Sequence, residues 1–241
     1  MIELVCFSPH PDDAELSCGG WLALAADRGQ SVGIVDLSAG ELATNGSVAV
    51  RAAEAAAAAG VLGLSHRENL GLPDGHLAVV EDQVRAVVEV LRRLRPALAL
   101  APWTHARHPD HAATGALLQR AVFHAGLAKY APELGSPHRP RLLHYPQRHE
   151  VRPDFVVDIT AVVDRKRAAI AAHVSQVGPG AATLVNQPVG HGAWDVRDRY
   201  WGATIGVAYG EPYLLGTPVP LSDPLAHFAA HPALPALVPP R

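Results

Sequence analysis

Short apolar runs alternate with longer amphipathic segments through the first half of the chain. The runs predict buried strands at residues 2–7, 31–38, 68–72 and 97–101. Between and after them, the spacing of apolar residues predicts helices at 15–28, 50–59, 80–94 and 111–125. Strands that alternate with helices in this way indicate an α/β fold, with a Rossmann-like, doubly wound and mostly parallel sheet.

The second half of the chain is less regular. It predicts strands at 141–145 and 155–159, a helix from Thr160 to about residue 174, and a short helix at 197–207. The Gly- and Pro-rich residues 177–195 predict an ordered loop or lid. The Pro-rich tail from Gly210 is expected to lie extended over the surface or over a neighbouring subunit. We therefore predict one domain over residues 1–241, with a regular core at 1–125 and a completing part at 126–241.

The composition excludes several classes of protein. The 241 residues are 49 % apolar, the net charge is −3, and no run of lysine or arginine occurs. This balance argues against nucleic acid or an anionic membrane as a partner. The two cysteines do not make a disulfide framework. No signal peptide or transmembrane run is recognisable. A cytoplasmic protein is expected.

Two polar clusters follow predicted strands. Residues 8–15, with the sequence SPHPDDAE, come directly after the first strand, and residues 105–111, which end in RHPDH, follow the strand at 97–101. The crevice at the carboxyl ends of the strands is where open α/β sheets bind ligands. We therefore expect the two clusters to meet there.

The residue types in these clusters suit a metal centre. His10 and Asp13 are three residues apart where a strand turns into a helix, and His111 would join them from the first turn of another helix. Two imidazoles and one carboxylate leave one position of a tetrahedral zinc ion open for water, as in catalytic sites.

The neighbouring side chains supply acid–base chemistry. Asp12 adjoins a predicted ligand and is free to take a proton from water as general base. His108, as an imidazolium, could donate to the oxyanion that forms when water attacks an amide. Asp110 could orient His108 and hold its charge, and is also the predicted N-cap of the helix at 111–125.

Simpler interpretations exist for each cluster. His-Pro-Asp-Asp could be a turn with a helix N-cap, and His-Pro-Asp-His could be an ordinary loop. The sheet could also belong to a nucleotide-binding or regulatory module. Against that module, the first loop is not G-x-G-x-x-G, and no Gly-rich phosphate loop with lysine follows a strand. The presence of both clusters, each at a predicted strand end, favours the metal centre.

SPHPDDAE and RHPDH resemble the two signature motifs of the LmbE/PIG-L family of zinc-dependent N-acetylglucosaminyl deacetylases. Other segments resemble the branch that serves bacillithiol biosynthesis, the N-acetyl-α-D-glucosaminyl L-malate deacetylases. They are DLSAGELATNGSVAVRAAEA (36–55), RENLGLPDGHL (67–77), PDFVVDIT (153–160) and RYWGATIGVAYGEPY (199–213). The resemblance implies one zinc ion per chain, held by the three residues above, with Asp12 as base, His108 as oxyanion donor and Asp110 behind it.

The resemblance also implies residues that bind substrate. Arg51 matches an arginine that contacts substrate, and its fork suits a carboxylate such as malate; alternatively, it is a surface charge on a helix. Asp74 matches a position that hydrogen-bonds sugar hydroxyls; alternatively, it is only a turn residue. Glu41 and Asn45 lie in a loop between a strand end and a helix and could line the pocket.

The implied substrate is a small-molecule N-acetylglucosamine conjugate, and the implied assembly is a homo-oligomer, a trimer or hexamer. Chitobiose, a mycothiol precursor or another acyl sugar are alternative substrates. Ala106 stands where the mycothiol branch carries a tyrosine, which favours the bacillithiol branch. Two further departures are Ser8, where alanine is common, and His173, where tyrosine is common; His173 could change a contact behind the site.

Overall fold

A seven-stranded sheet with helices on both faces forms the centre of the protein. The computed structural model describes residues 1–147, 151–181 and 192–230. The strands are β1 (Leu4–Ser8), β2 (Val32–Ser38), β3 (His66–Leu72), β4 (Leu98–Pro102), β5 (Arg141–Tyr145), β6 (Phe155–Asp158) and β7 (Gly210–Leu215). The helices are α1 (Asp13–Asp27), α2 (Val48–Leu62), α3 (Glu81–Leu94), α4 (Pro109–Ala125), α5 (Val163–Ala171), α6 (Val174–Val177), α7 (Gly192–Thr204) and α8 (Pro224–Ala230). Within the described ranges, no helix combines the length and apolar character needed to cross a membrane.

The order of the strands confirms the predicted doubly wound sheet. The order is β3-β2-β1-β4-β5-β7-β6, and β1 to β5 pair in parallel. From β1 the chain moves outward to β2 and β3, then returns to place β4 on the other side of β1. The direction of winding therefore reverses between β1 and β4, and the loops after these two strands open into a shared crevice.

The core lies on both faces of the sheet. Every residue of β1 and β2 is buried, as expected for parallel strands with helices on both sides. Successive side chains of β1 alternate between the two faces. Leu4 and Cys6 pack with residues of α1, α2 and α5, whereas Val5 and Phe7 pack with residues of α3 and α4.

The apolar spacing in the third helix predicted its buried face correctly. Val84, Val87, Val88, Leu91 and Leu94 are buried, as their helical spacing indicates. Val80, the first member of the predicted series, precedes the helix as its N-cap and is about half exposed.

For residues 210–215, the prediction of an extended surface tail is wrong. Instead of lying over the surface, residues 210–215 form β7, which pairs antiparallel with both β5 and β6. A glutamate and a proline in this strand obscure its pattern. Glu211 is nevertheless fully buried, because its carboxylate accepts hydrogen bonds from the backbone N–H groups of Gly20 and Trp21 and from Lys166.

Other boundaries differ by smaller amounts. α2 continues through Gly60 to Leu62. The helix predicted from Thr160 is divided into a 3-10 turn, α5 and α6. The predicted loop at 177–195 ends earlier, because α7 begins at Gly192. Most of that loop, residues 182–191, and the end of the tail, residues 231–241, lie outside the described residues.

A buried cluster of charged side chains links β7 to the helices. Lys166 is 2 % exposed, and its Nζ lies 2.6 Å from Asp198 Oδ2 and 2.7 Å from Glu211 Oε1. Lys166→Met should lower the free energy of unfolding by about 3 kcal/mol, since it leaves buried carboxylates without this counter-charge. Urea denaturation followed by circular dichroism measures the change. Arg85→Met, which removes an exposed pair with Glu133, is the control and should change stability little; equal effects would contradict the role of Lys166.

Candidate metal centre and catalytic site

The two polar clusters meet at the crevice between β1 and β4. His10 and Asp13 follow β1, and His111 lies in the first turn of α4. Asp13 Oδ2 lies 3.1 Å from His10 Nδ1 and 3.1 Å from His111 Nε2. One donor atom from each residue lies within 4.8 Å of the others. The three residues predicted as metal ligands are therefore brought together.

The donor set fits a divalent transition-metal ion. His10 Nδ1 and His111 Nε2 both face Asp13 Oδ2. A nitrogen lone pair repels the lone pairs of a carboxylate oxygen, so each contact needs a proton or a cation between the two atoms. Two imidazoles and one carboxylate are ligands that zinc takes in open catalytic sites. The surroundings also favour positive charge. Burial disfavours a charged His10, but hydrogen bonds to Asp110, Asp13 and Asp74 outweigh it and raise the pKa of His10 to about 12.

Asp110 orients His10. Its Oδ2 lies 3.3 Å from His10 Nε2, the ring nitrogen that faces away from Asp13. The same carboxylate accepts backbone hydrogen bonds from Gly75 at 2.7 Å and Leu77 at 3.3 Å. This differs from the expectation that the Asp110 carboxylate orients His108. A carboxylate on the outer nitrogen of a metal-binding histidine fixes the direction of its ring.

His108 takes the position expected of Asp110 at the start of α4. It is the N-cap, and its Nδ1 accepts a hydrogen bond of 3.2 Å from the backbone N–H of Asp110. Burial and the nearby rings of His111 and His10 lower the pKa of His108. The lowered pKa favours the neutral ring over the expected imidazolium, and because Nδ1 accepts a hydrogen bond, the proton of the neutral ring resides on Nε2.

Asp12 has an unusual backbone and a raised pKa. Its φ of 133° lies in the region that favours glycine. Its side chain lines a cavity of about 670 Å³ together with the metal-binding residues. Burial, reinforced by the charge of Asp13, raises the pKa of Asp12 to about 6 against the opposing effect of Arg51. The carboxylate is thus a stronger base than an exposed aspartate.

Arg51 is buried, and its guanidinium group is hydrogen-bonded to backbone carbonyl groups of neighbouring loops. Its Nη1 donates to Gly40 O at 3.1 Å, its Nη2 donates to Pro11 O at 2.7 Å, and Asp12 Oδ2 lies 3.6 Å from Nη2. A Cβ at Gly40 would lie 1.7 Å from Nη1, so this contact requires glycine. Arg51 is therefore not a surface charge. Arg51 lines the cavity, but both Nη atoms of its fork already donate to backbone carbonyls and support the Asp12 loop.

The other predicted substrate residues mainly connect loops. Asp74 lines the cavity, but its Oδ1 lies 3.0 Å from His10 Nε2 and its Oδ2 accepts from the backbone N–H of Leu42. Glu41 accepts from the backbone N–H of Asp74, and Asn45 donates to Ala181 O. Neither Glu41 nor Asn45 is among the residues described as lining the cavity.

A buried ion group lies behind the site. Glu15 Oε1 accepts from Arg67 Nη1 and lies 3.1 Å from His173 Nε2. Although burial opposes the charge, Arg67 and His173 lower the pKa of Glu15 to about 2. His173, the departure from the family pattern, thus contacts α1 behind the metal residues. Ser8, another departure, donates to His10 O at 2.6 Å and supports the turn.

Sequence reasoning missed several residues of the site. Gln147 follows β5 and contacts two predicted ligands, since its amide hydrogen-bonds both His111 Nδ1 and Asp13 Oδ1. Its position after a strand of the same parallel sheet was the available signal. The structure also lines the cavity with Leu42, Trp103, Arg107, Gln176 and Trp194.

Comparison with known proteins supports this description. The profile of the PIG-L family, described as GlcNAc-PI de-N-acetylase, matches residues 5–122. The diacetylchitobiose deacetylase of Thermococcus kodakarensis is 30 % identical over 188 residues, which cover 72 % of this chain and 70 % of that protein. The crystal structure of the conserved protein TT1542 from Thermus thermophilus has a TM-score of 0.85 at 43 % identity, over 93 % of this chain and 99 % of that one.

Two other relatives bear on the substrate. The probable N-acetyl-alpha-D-glucosaminyl L-malate deacetylase 2 of Bacillus cereus is 27 % identical, over 82 % of this chain and 96 % of that protein. The 4-oxalmesaconate hydratase of Pseudomonas putida is 31 % identical, over 70 % and 72 %. The shared fold therefore supports more than one reaction. By its sequence, fold and site, the chain belongs to the PIG-L/LmbE family of N-acetylglucosaminyl deacetylases, and it is an amidohydrolase of that family.

Proposed function

We propose that the protein removes the acetyl group from N-acetyl-α-D-glucosaminyl L-malate, with one zinc ion per chain. The observation that carries the proposed reaction is the position of Asp12 beside His10, Asp13 and His111 in one cavity of about 670 Å³. A cavity of this size suits a small-molecule substrate.

The residues divide the chemistry between them. His10, Asp13 and His111 would hold the metal ion, which supplies Lewis acidity that makes water more acidic and polarises a carbonyl group. Asp12 takes the proton of the attacking water. Since the pKa of Asp12 is raised, the protonated carboxyl can then pass this proton to the leaving amine.

His108 stabilises the developing negative charge. Its Nδ1 is occupied by the backbone N–H of Asp110, so the neutral ring keeps its proton on Nε2. This N–H can donate to the oxyanion without first being charged. Asp110 acts through His10, whose ring it holds, rather than through His108.

Arg107 favours an anionic conjugate such as malate. It is exposed, lines the cavity, and makes no ion pair or hydrogen bond with the residues that the structure describes. An uncommitted guanidinium can bind both oxygens of a carboxylate. This role replaces the one expected of Arg51. The similarity to the malate deacetylase of Bacillus cereus also supports the malate conjugate. The trimeric or hexameric assembly stays a prediction.

A substrate panel tests the reaction and its specificity. The zinc-loaded protein should release acetate from GlcNAc-malate with a higher kcat/KM than from diacetylchitobiose. Acetate is measured by a coupled enzymatic assay. Preference for chitobiose would contradict the malate assignment. No acetate from any acyl sugar, with hydration of 4-oxalmesaconate, would favour the reaction of the Pseudomonas relative.

Substitution of Asp12 separates its chemical role from its backbone strain. Asp12→Ala and Asp12→Gly should both lose deacetylation by at least about a thousandfold while still binding zinc, because each removes the base. Asp12→Gly should be more stable than Asp12→Ala by about 1 kcal/mol, because glycine adopts the φ of 133° without strain. Turnover is measured by acetate release, and stability by urea unfolding in metal-free buffer. Near wild-type turnover in either variant would refute the assigned base.

Substitution of Arg107 tests recognition of the conjugate. Arg107→Gln should raise KM for GlcNAc-malate about tenfold with little change in kcat, since a charge-assisted hydrogen bond contributes about 1.5 kcal/mol. KM for neutral diacetylchitobiose is the internal control and should change little. An equal rise for both substrates would mean that Arg107 does not recognise the carboxylate.

A further inference from the structure

We propose that Gln147 is a positioning residue that holds His111 in its metal-binding tautomer and joins His111 to Asp13. The inference rests on the proposed function only in taking these two residues as metal ligands. The carboxyl ends of β1 and β4 form the crevice, and that of β5 lies beside them. Gln147 lies two residues after β5. Pro102 pairs with Tyr145, so the chain beyond β5 emerges beside the loop that follows β4.

The orientation of the Gln147 amide follows from chemistry. Asp13 Oδ1 lies 3.0 Å from the amide nitrogen of Gln147. An ionised carboxylate only accepts hydrogen bonds, so the NH2 group of Gln147 must face Asp13. A carboxylate that binds a metal ion is ionised, so in that role Asp13 has no proton to offer Gln147.

The amide orientation in turn sets the tautomer of His111. With its NH2 group on Asp13, Gln147 presents its carbonyl oxygen to His111 Nδ1, and the two atoms are in hydrogen-bond contact. A carbonyl oxygen accepts only, so Nδ1 carries a proton. In the neutral ring the lone pair is then on Nε2, which faces Asp13 Oδ2 at 3.1 Å. The nitrogen that faces the metal position is therefore the one that can bind an ion.

The bridge also couples two parts of the fold. Asp13 begins α1 and His111 belongs to α4, which pack on opposite faces of the sheet. One amide fixes the carboxylate through Oδ1 and the imidazole through Nδ1, and so leaves Asp13 Oδ2 and His111 Nε2 directed at each other. Without this bridge, each side chain would have to be ordered when the ion binds, at a cost in affinity.

Zinc affinity tests the inference independently of turnover. Gln147→Met keeps the length of the side chain but removes both hydrogen bonds. It should weaken zinc binding about 10- to 100-fold, the effect expected on loss of a group that orients a metal ligand. The dissociation constant is measured by competition with a chromogenic chelator. Gln119→Met is the matched control, because Gln119 contacts the ring of His144 at 3.3 Å outside the site; its zinc affinity should match that of the wild type.

A spectroscopic measurement reports the tautomer itself. In zinc-loaded wild-type protein, nitrogen-15 NMR should show a proton on Nδ1 of His111 that is protected from exchange, and Gln147→Met should lose this protection. Zinc affinity within about threefold of wild type, or an unchanged Nδ1 signal, would overturn the role of Gln147. Wild-type protein that binds zinc with this signature but releases no acetate would refute the proposed function and leave the role of Gln147 intact.

Discussion

The site depends on the balance between carboxylates and imidazoles at one edge of the sheet. Asp13, Asp74 and Asp110 all lie within 3.3 Å of a nitrogen of the His10 ring. Ionised carboxylates in partly buried surroundings are stable only when positive charge or hydrogen-bond donors accompany them. This requirement makes the edge of the sheet a cation site, and it explains why a metal ion with two imidazole ligands fits there.

The scaffold meets this requirement with backbone groups as well as side chains. Asp110 accepts from two backbone N–H groups in the loop after β3, and Asp74 accepts from a third in the loop after β2. Arg51 ties the turn around Asp12 to Gly40. Loops after β1, β2, β3, β4 and β5 thus hold one another. The metal residues are ordered by contacts spread over the carboxyl edge of the sheet.

The proposed base has a strained backbone conformation. Asp12 has a backbone conformation that glycine adopts more easily, and its neighbours on both sides are fixed, because Pro11 O accepts from Arg51 and Asp13 accepts from Gln147. A strained residue of this kind persists when its surroundings determine it, and such residues cluster at active sites. Here the strain permits consecutive carboxylates to act differently, with Asp13 directed at the metal position and Asp12 directed into the cavity.

Strand β7 shows where the local sequence pattern fails to predict the structure. Residues 210–215 carry a glutamate and a proline, so no local signal indicates a strand. Glu211 is neutralised by Lys166, and that partner is 45 residues away in sequence. The N-cap of α4 was likewise not evident from local pattern. His108 is the N-cap through a ring nitrogen that accepts a backbone hydrogen bond, whereas the carboxylate of Asp110, a more common N-cap residue type, contacts His10 instead.

The sequence by itself determined the alternation of strands and helices, the parallel core and the identity of the residues that meet at its crevice. Those features follow from apolar periodicity and from the rule that parallel strands end at one edge, both of which are local or topological. Only the tertiary structure decided that Asp110 orients His10, that the fork of Arg51 is occupied, and that Gln147 joins two ligands. These contacts join groups that are 11 to 134 residues apart in the chain, and no local pattern encodes them.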